Sequence, residues 1–174
     1  FLNVVRRLGA EYEVQEDGIR FCSSAGGSGL KGIEIETDTH PGFMTDWQQP
    51  LAILLTQAHG VSIIHETVYE DRFGYTKDLN SMGADIKVLT KCLGELPCRF
   101  KDKDFHHSAV IYGPTPLKAA KLRVPDLRAG MAHLIAACIA GGQSEIDNIE
   151  ELERCYERIE ERLTGLGVAI KRIN

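Results

Sequence analysis

The chain has 174 residues, 43% hydrophobic and 26% charged, with a formal net charge of −5, which is the balance of one folded domain with a substantial core. No run or stripe of Lys and Arg offers a phosphate-tracking surface, which excludes ordinary nucleic-acid binding but not a small anion held at a locally basic spot. No apolar run reaches about 18 residues, so no membrane-spanning helix is expected, and the cytoplasm is the expected location.

The sequence opens at Phe1, inside a helical pattern and without an initiator Met, and is expected to be part of a longer chain. Leu8-Gly9-Ala10-Glu11-Tyr12 closes that helix on a glycine and opens a strand. The same pattern recurs at Met82-Gly83-Ala84-Asp85-Ile86 and at Leu166-Gly167-Val168-Ala169-Ile170. Residues 31–37, KGIEIET, alternate as a strand with one wet face. Residues 40–60, HPGFMTDWQQPLAILLTQAHG, then pass from an extended segment into a helix. Thr45 and Gln48 predict a capping box at its start.

Residues 51–57 are apolar on nearly every face, which marks a helix surrounded by protein. Asp46 therefore stands at the mouth of a buried helix, as a cap or as a reagent. A strand is predicted over 63–69, followed by Arg72, and an alternating strand over 85–91. Residues 93–121, with Pro97, Pro114 and Pro116, read as a connecting loop around one strand at 108–112. A second all-apolar helix, 131–140, follows Pro125-Asp126 as the first follows Thr45-Asp46. The last helix is one-sided, with Tyr156, Ile159, Leu163 and Leu166 on one face and Glu157, Arg158, Glu160, Glu161 and Arg162 left for solvent.

The chain thus repeats an α/β (α+β) unit of helix, strand, helix and strand. Buried helices combined with half-exposed strands predict helices inside and sheets outside. The five cysteines, Cys22, Cys92, Cys98, Cys138 and Cys155, are odd in number and form no C-x-x-C pair. They read as reduced thiols rather than a disulfide framework or a zinc site. His106 and His107 read as surface residues of a polar loop, and no metal or cofactor is expected.

Arg72 follows a predicted strand, while Arg128 and Arg154 lie at predicted helix starts. Guanidinium groups beside helix N-termini are disfavoured by a few tenths to about 1 kcal/mol each unless an anion offsets them. One reading pairs each with a neighbouring carboxylate, Glu70, Asp126 or Glu153, as a surface ion pair. The other has the repeated corners converge on an anion, for which bidentate Arg is suited. Asp46 sits at the corresponding corner and would be ionised at pH 7, able to accept a proton from a hydroxyl.

HPGFMTDWQQP, ETVYEDRF, PDLRAG and ERCYERIEERL, in this order and spacing, resemble the carboxyl-terminal portion of the enolpyruvyl transferases of peptidoglycan synthesis. The resemblance implies a barrel of βαβαββ units turned inside out, with residues 1–174 forming most of one domain, short of its first strands and of a companion domain. It implies transfer of enolpyruvyl from phosphoenolpyruvate to the 3-hydroxyl of UDP-N-acetylglucosamine. It gives Asp46 the sugar hydroxyl as base, Val68 a backbone contact to the nucleotide sugar, Arg128 and Arg154 the phosphoenolpyruvate side, and Arg72 and Glu70 supporting places.

Met44, Asp71 and Cys155 depart from the family's usual Pro, Asn and Gly without removing a charge assigned to the site. The family's proton-donor loop and its Lys-Asn pair match nothing in this sequence, so the chain alone is expected to be inactive. Two other readings are the sister transfer to shikimate 3-phosphate and a non-catalytic nucleotide-sugar binding module.

Overall fold

The computed structural model describes residues 1–22 and 29–173. Helix α1 (Leu2–Arg7) leads through Gly9 into the hairpin β1 (Glu11–Gln15) and β2 (Gly18–Cys22). Strands β3 (Glu34–Asp38) and β4 (Phe43–Met44) run parallel, and a 3-10 turn at Thr45–Trp47 feeds α2 (Gln48–Thr56). After it come β5 (Gly60–His65), α3 (Thr76–Ser81), β6 (Asp85–Leu89) and β7 (Ser108–Gly113). The remainder is β8 (Lys121–Arg123), α4 (Ala129–Ile139), β9 (Glu145–Asp147), α5 (Glu150–Glu153) and α6 (Ile159–Gly165).

The main sheet has the order β4-β3-β5-β7-β6, with β3 parallel to β4 and β5, and β7 antiparallel to both of its neighbours. The strand in the Pro-punctuated stretch is therefore an inner strand of the sheet rather than an appendage of a loop. Alternation holds at β6, where Ile86 is buried while Asp85 and Lys87 are exposed. β8 and β9 form a separate parallel pair. Among the described residues the sheets are three and open; no barrel closes here.

Of the two helices with apolar residues on nearly every face, α2 is buried as expected, while α4 is buried along its first two turns and leaves Cys138 and Ile139 exposed at its end. α2 packs against α4 and against β5 and β7, and its Leu51, Ile53 and Leu55 are almost fully excluded from solvent. Across from them α4 presents Ala132 and Ala136, both wholly buried, and small residues let the helices approach closely. Burying Leu side chains of this kind is worth about 1.5–3 kcal/mol each.

Gly9, Gly83 and Gly167 take φ of +93°, +105° and +90°, a left-handed conformation that costs glycine nothing and an L side chain about 1–2 kcal/mol. The first two open β1 and β6 as expected. After the third, residues 168–173 form no strand. The last helix also differs from expectation: it starts only at Ile159, after Arg158 in the left-handed region at φ 52°. Ile159 and Leu163 are half-buried, while Leu166 is 80% exposed. His106 is exposed as expected, but His107 is wholly buried against Phe100 and His65. Its polar neighbours in sequence do not reveal that the chain folds back over it.

Leu55→Ala, which empties the contact between α2 and its surroundings, is expected to cost about 2–5 kcal/mol. A lowered urea midpoint at unchanged slope is the expected reading.

Candidate active site

The site begins where β4 runs into the 3-10 turn. Phe43 is buried, and the Trp47 ring packs edge-on against Phe43 at 5.6 Å and Phe1 at 5.8 Å. Anchoring on both sides turns Asp46 outward, its side chain 63% exposed. The predicted capping box does not form: the Thr45 hydroxyl donates instead to Glu66 Oε2 at 2.9 Å, and Gln48 Oε1 accepts from the Tyr75 hydroxyl at 3.1 Å. Glu66 is fully buried at the end of β5, and its Oε1 accepts the backbone N–H groups of Val68 and Tyr69 at 2.9 and 3.0 Å. One carboxylate therefore ties the 3-10 turn to the loop that follows β5.

That loop carries Arg72. Asp71 turns the chain at φ 50°, a conformation Asp tolerates better than most residues. The Arg72 side chain is buried and donates from Nη2 to Asp46 Oδ1 at 2.8 Å. Its Nε and Nη1 are buried without a hydrogen-bond partner among the described residues. From the other unit, Arg128 donates from Nε to the same Oδ1 at 3.0 Å. The Tyr69 ring lies 5.1 Å from the Arg72 guanidinium carbon and 5.5 Å from that of Arg128, so its negative face supports both cations.

The equivalent corner has a different use. Asp126 accepts the backbone N–H groups of Arg128 at 2.8 Å and Ala129 at 3.0 Å, so it is the cap at the start of α4. The two corners are alike in sequence, yet only the first leaves its carboxylate to meet side chains from afar.

Burial opposes ionisation of Asp46, but the hydrogen bonds and charges of Arg72 and Arg128 outweigh it and hold its carboxyl below the ordinary range. One carboxylate oxygen thus serves two guanidiniums. A cleft of about 560 Å³ opens beside it, lined by Tyr69, by the cations of Arg72, Lys77 and Arg128, and by the carboxylates of Glu70, Asp71, Asp78 and Asp126. Such a corner can hold an anion, and its carboxylate can accept a hydrogen bond from a hydroxyl.

Of the residues singled out in sequence, Asp46, Arg72 and Arg128 are brought together. Arg154 is not: it follows the last turn of α5, where a cation suits the helix dipole, and bonds Glu151 at 2.9 Å. The helix ends just before it rather than starting there. Glu70 is exposed and pairs with Arg99 at 3.3 Å. Both backbone groups of Val68 are engaged, the N–H by Glu66 and the carbonyl by Arg99. Glu66, Tyr69 and Arg99 escaped the sequence reading. A carboxylate directly after the apolar run of β5 was the available signal for Glu66.

A sequence profile described as "EPSP synthase (3-phosphoshikimate 1-carboxyvinyltransferase)" matches residues 1–163, and the chain belongs to this family of carboxyvinyl transferases. Within it, the chain is 49% identical over 170 residues to a UDP-N-acetylglucosamine 1-carboxyvinyltransferase of Protochlamydia amoebophila, covering 98% of this chain and 36% of that protein. A protein of the same description from Chlamydia trachomatis is 49% identical over 171 residues, covering 98% of this chain and 38% of that protein. Among solved structures, the enolpyruvyl transferase NikO from Streptomyces tendae superposes with a TM-score of 0.81 at 27% identity, over 98% of this chain and 35% of that one. The fold is thus the mixed α/β fold of enolpyruvyl transferases, and the chain spans little more than a third of the length of the curated relatives it matches.

The depressed Asp46 fixes the sign of a pH effect. Its contribution to stability is complete above the ordinary carboxylate range and is lost as pH falls through the depressed folded value. Asp46→Asn should therefore be less stable than the parent at neutral pH, and the gap should narrow on acidification. Urea midpoints measured for both across the acid range check this; a constant gap would show that the Asp46 charge is not what matters.

Proposed function

We propose that the protein containing this chain transfers the enolpyruvyl group of phosphoenolpyruvate to the 3-hydroxyl of UDP-N-acetylglucosamine with release of phosphate, a committed step of peptidoglycan synthesis in the cytoplasm. The observation that carries the reading is the single carboxylate of Asp46 held between Arg72 and Arg128 in a chain whose similar relatives bear that activity in their names. In this reading residues 1–174 are most of one domain, an inside-out barrel of βαβαββ units with α2 and α4 at its centre. Strands outside the chain complete it. A companion domain supplies the proton donor and further phosphoenolpyruvate contacts.

The geometry supports an order of events. With both guanidiniums on it, Asp46 is a weak base. An arriving phosphoenolpyruvate, with its phosphate and carboxylate, competes for Arg72 and Arg128, and loosening their hold returns basicity to Asp46. Asp46 then accepts the proton of the sugar hydroxyl as its oxygen adds to C2 of phosphoenolpyruvate and C3 gains a proton from the companion domain. Elimination removes a proton from C3 and expels phosphate from C2.

Arg154 joins the phosphoenolpyruvate side by leaving Glu151. That exposed i, i+3 pair is worth little and is readily exchanged. Val68 offers its carbonyl to the nucleotide sugar by exchange with Arg99, while Glu70 and Tyr69 keep the loop and the guanidiniums in place. Anions that draw Arg72 and Arg128 toward a site shared by two domains would also close those domains.

In the full-length protein, Asp46→Asn is expected to lower turnover by about 10²–10⁴-fold while UDP-N-acetylglucosamine still binds. Parent protein without measurable turnover would support a binding module instead. Because the family's description names 3-phosphoshikimate, UDP competition is the discriminating assay: UDP should displace the acceptor, and a shikimate 3-phosphate site would ignore it. Residues 1–174 alone should release no phosphate.

A further inference from the structure

Next to the loop that carries Arg72, the ends of three adjacent strands bring four metal-ligating side chains near one another. His65 ends β5, Cys92 and Cys98 lie in the excursion after β6, and His107 immediately precedes β7. The register places Ser108 opposite both His65 and Leu89, so these strand ends lie in one row. A ring nitrogen of His65 and the sulfurs of Cys92 and Cys98 lie within 4.8 Å of one another. The Nε2 of His107 is 3.2 Å from Cys92 Sγ, and the two imidazoles meet edge to face with ring centres 5.3 Å apart.

The nitrogens are already oriented. His65 Nδ1 lies 2.8 Å from Ser108 Oγ, while its Nε2 is buried without a partner in a residue only 1% exposed. The His107 Nδ1–H donates to the Phe105 carbonyl at 2.6 Å, which leaves Nε2 with its lone pair. Holding one ring nitrogen so that the other can ligate is the arrangement found around metal-bound histidines.

The segment between the cysteines is built to a fixed shape. Glu36 accepts the backbone N–H groups of Glu95 at 2.7 Å and Leu96 at 2.9 Å. A Cβ on Gly94 would collide with the Glu36 carboxylate and come within 2.5 Å of His65 Cδ2. The glycine is what lets this turn lie against the histidine.

We propose that Cys92, Cys98, His65 and His107 form a structural zinc site that fixes the excursion after β6 to the ends of β5 and β7. Two thiolates and two neutral imidazoles are a zinc donor set, and a tetrahedral ion with bonds of about 2.0–2.3 Å needs donors roughly 3.3–3.8 Å apart. Three donors, from His65, Cys92 and Cys98, already lie within 4.8 Å of one another, and His107, at 3.2 Å from Cys92 Sγ, swings toward His65 and Cys98 to complete the tetrahedron. Binding displaces the two thiol protons. The site does no chemistry on substrate; it fixes the backbone from which Arg99, next to Cys98, reaches toward the Val68 carbonyl and can exchange away, and it holds Glu66, next to His65, against the N–H groups of Val68 and Tyr69.

Full-length protein prepared under reducing conditions without strong chelator should carry about one zinc per chain at this site by elemental analysis. Cobalt in place of zinc should give the visible bands of a tetrahedral centre together with a near-ultraviolet thiolate-to-cobalt band. Cys92→Ser and Cys98→Ser should each abolish the thiolate band or halve it, and Cys138→Ser, at an exposed position on α4, should leave it intact. Removing zinc should lower the melting temperature of the parent and leave that of Cys92→Ser unchanged. Parent protein that takes up no cobalt with its thiols reduced, or in which Cys92 and Cys98 are recovered as a disulfide from metal-replete preparations, overturns the proposal without reliance on any variant.

Discussion

The arrangement of the site depends on one oxygen, Asp46 Oδ1, which accepts from Arg72 and Arg128 together. Arg72 is an arginine whose guanidinium is removed from water, a situation that costs several kcal/mol unless a counter-charge and hydrogen bonds offset it. Asp46 is that counter-charge for Arg72 and the anchor for Arg128, which arrives from the other unit. Since one oxygen serves two guanidiniums, the pairing does not use all their donors, and Arg72 Nε and Nη1 stay buried without a partner among the described residues.

Much of this could be read from residue order. Glycines at the ends of helical patterns announced Gly9, Gly83 and Gly167, because few side chains tolerate their backbone angles. The apolar faces of α2 and of the first turns of α4 announced burial, because a helix without a wet face has nowhere else to go, but the exposed end of α4 at Cys138 and Ile139 was not announced. What stayed hidden depends on partners distant in sequence. Thr45 has the sequence of a cap, but Glu66 competes for its hydroxyl and wins. Arg154 reads as a helix start until the chain is seen to end a short helix just before it. His107 lies among charged neighbours and becomes core only when Phe100 and His65 pack around it. Asp46 and Asp126 could be recognised as equivalents, but not as a ligand for arginines and a cap respectively, since that difference comes from the loops opposite them.

The Asp46 corner and the cysteine-histidine cluster share a supporting frame. His65 and Glu66 are consecutive, and one faces the sulfurs while the other holds the turn of Thr45 and the loop of Val68. Cys98 and Arg99 are consecutive in the same sense. Groups that must meet a substrate within fractions of an ångström gain from such backing, because their own rotamers are then set by neighbours that do not move.

The place of β7 has a consequence for how the molecule is made. β5 and β6 are separated in the sheet by a strand that comes after both, so neither the β5 edge nor β6 has its final partner until β7 is synthesised. β3 and β5 can pair as soon as they leave the ribosome, whereas β6 waits. The insertion of β7 then completes two ladders at once and draws the excursion after β6 onto the ends of its neighbours. Pairings so distant along the chain make for slow, late steps in folding. The loop behind the candidate active site is therefore among the last parts of this sheet to take shape.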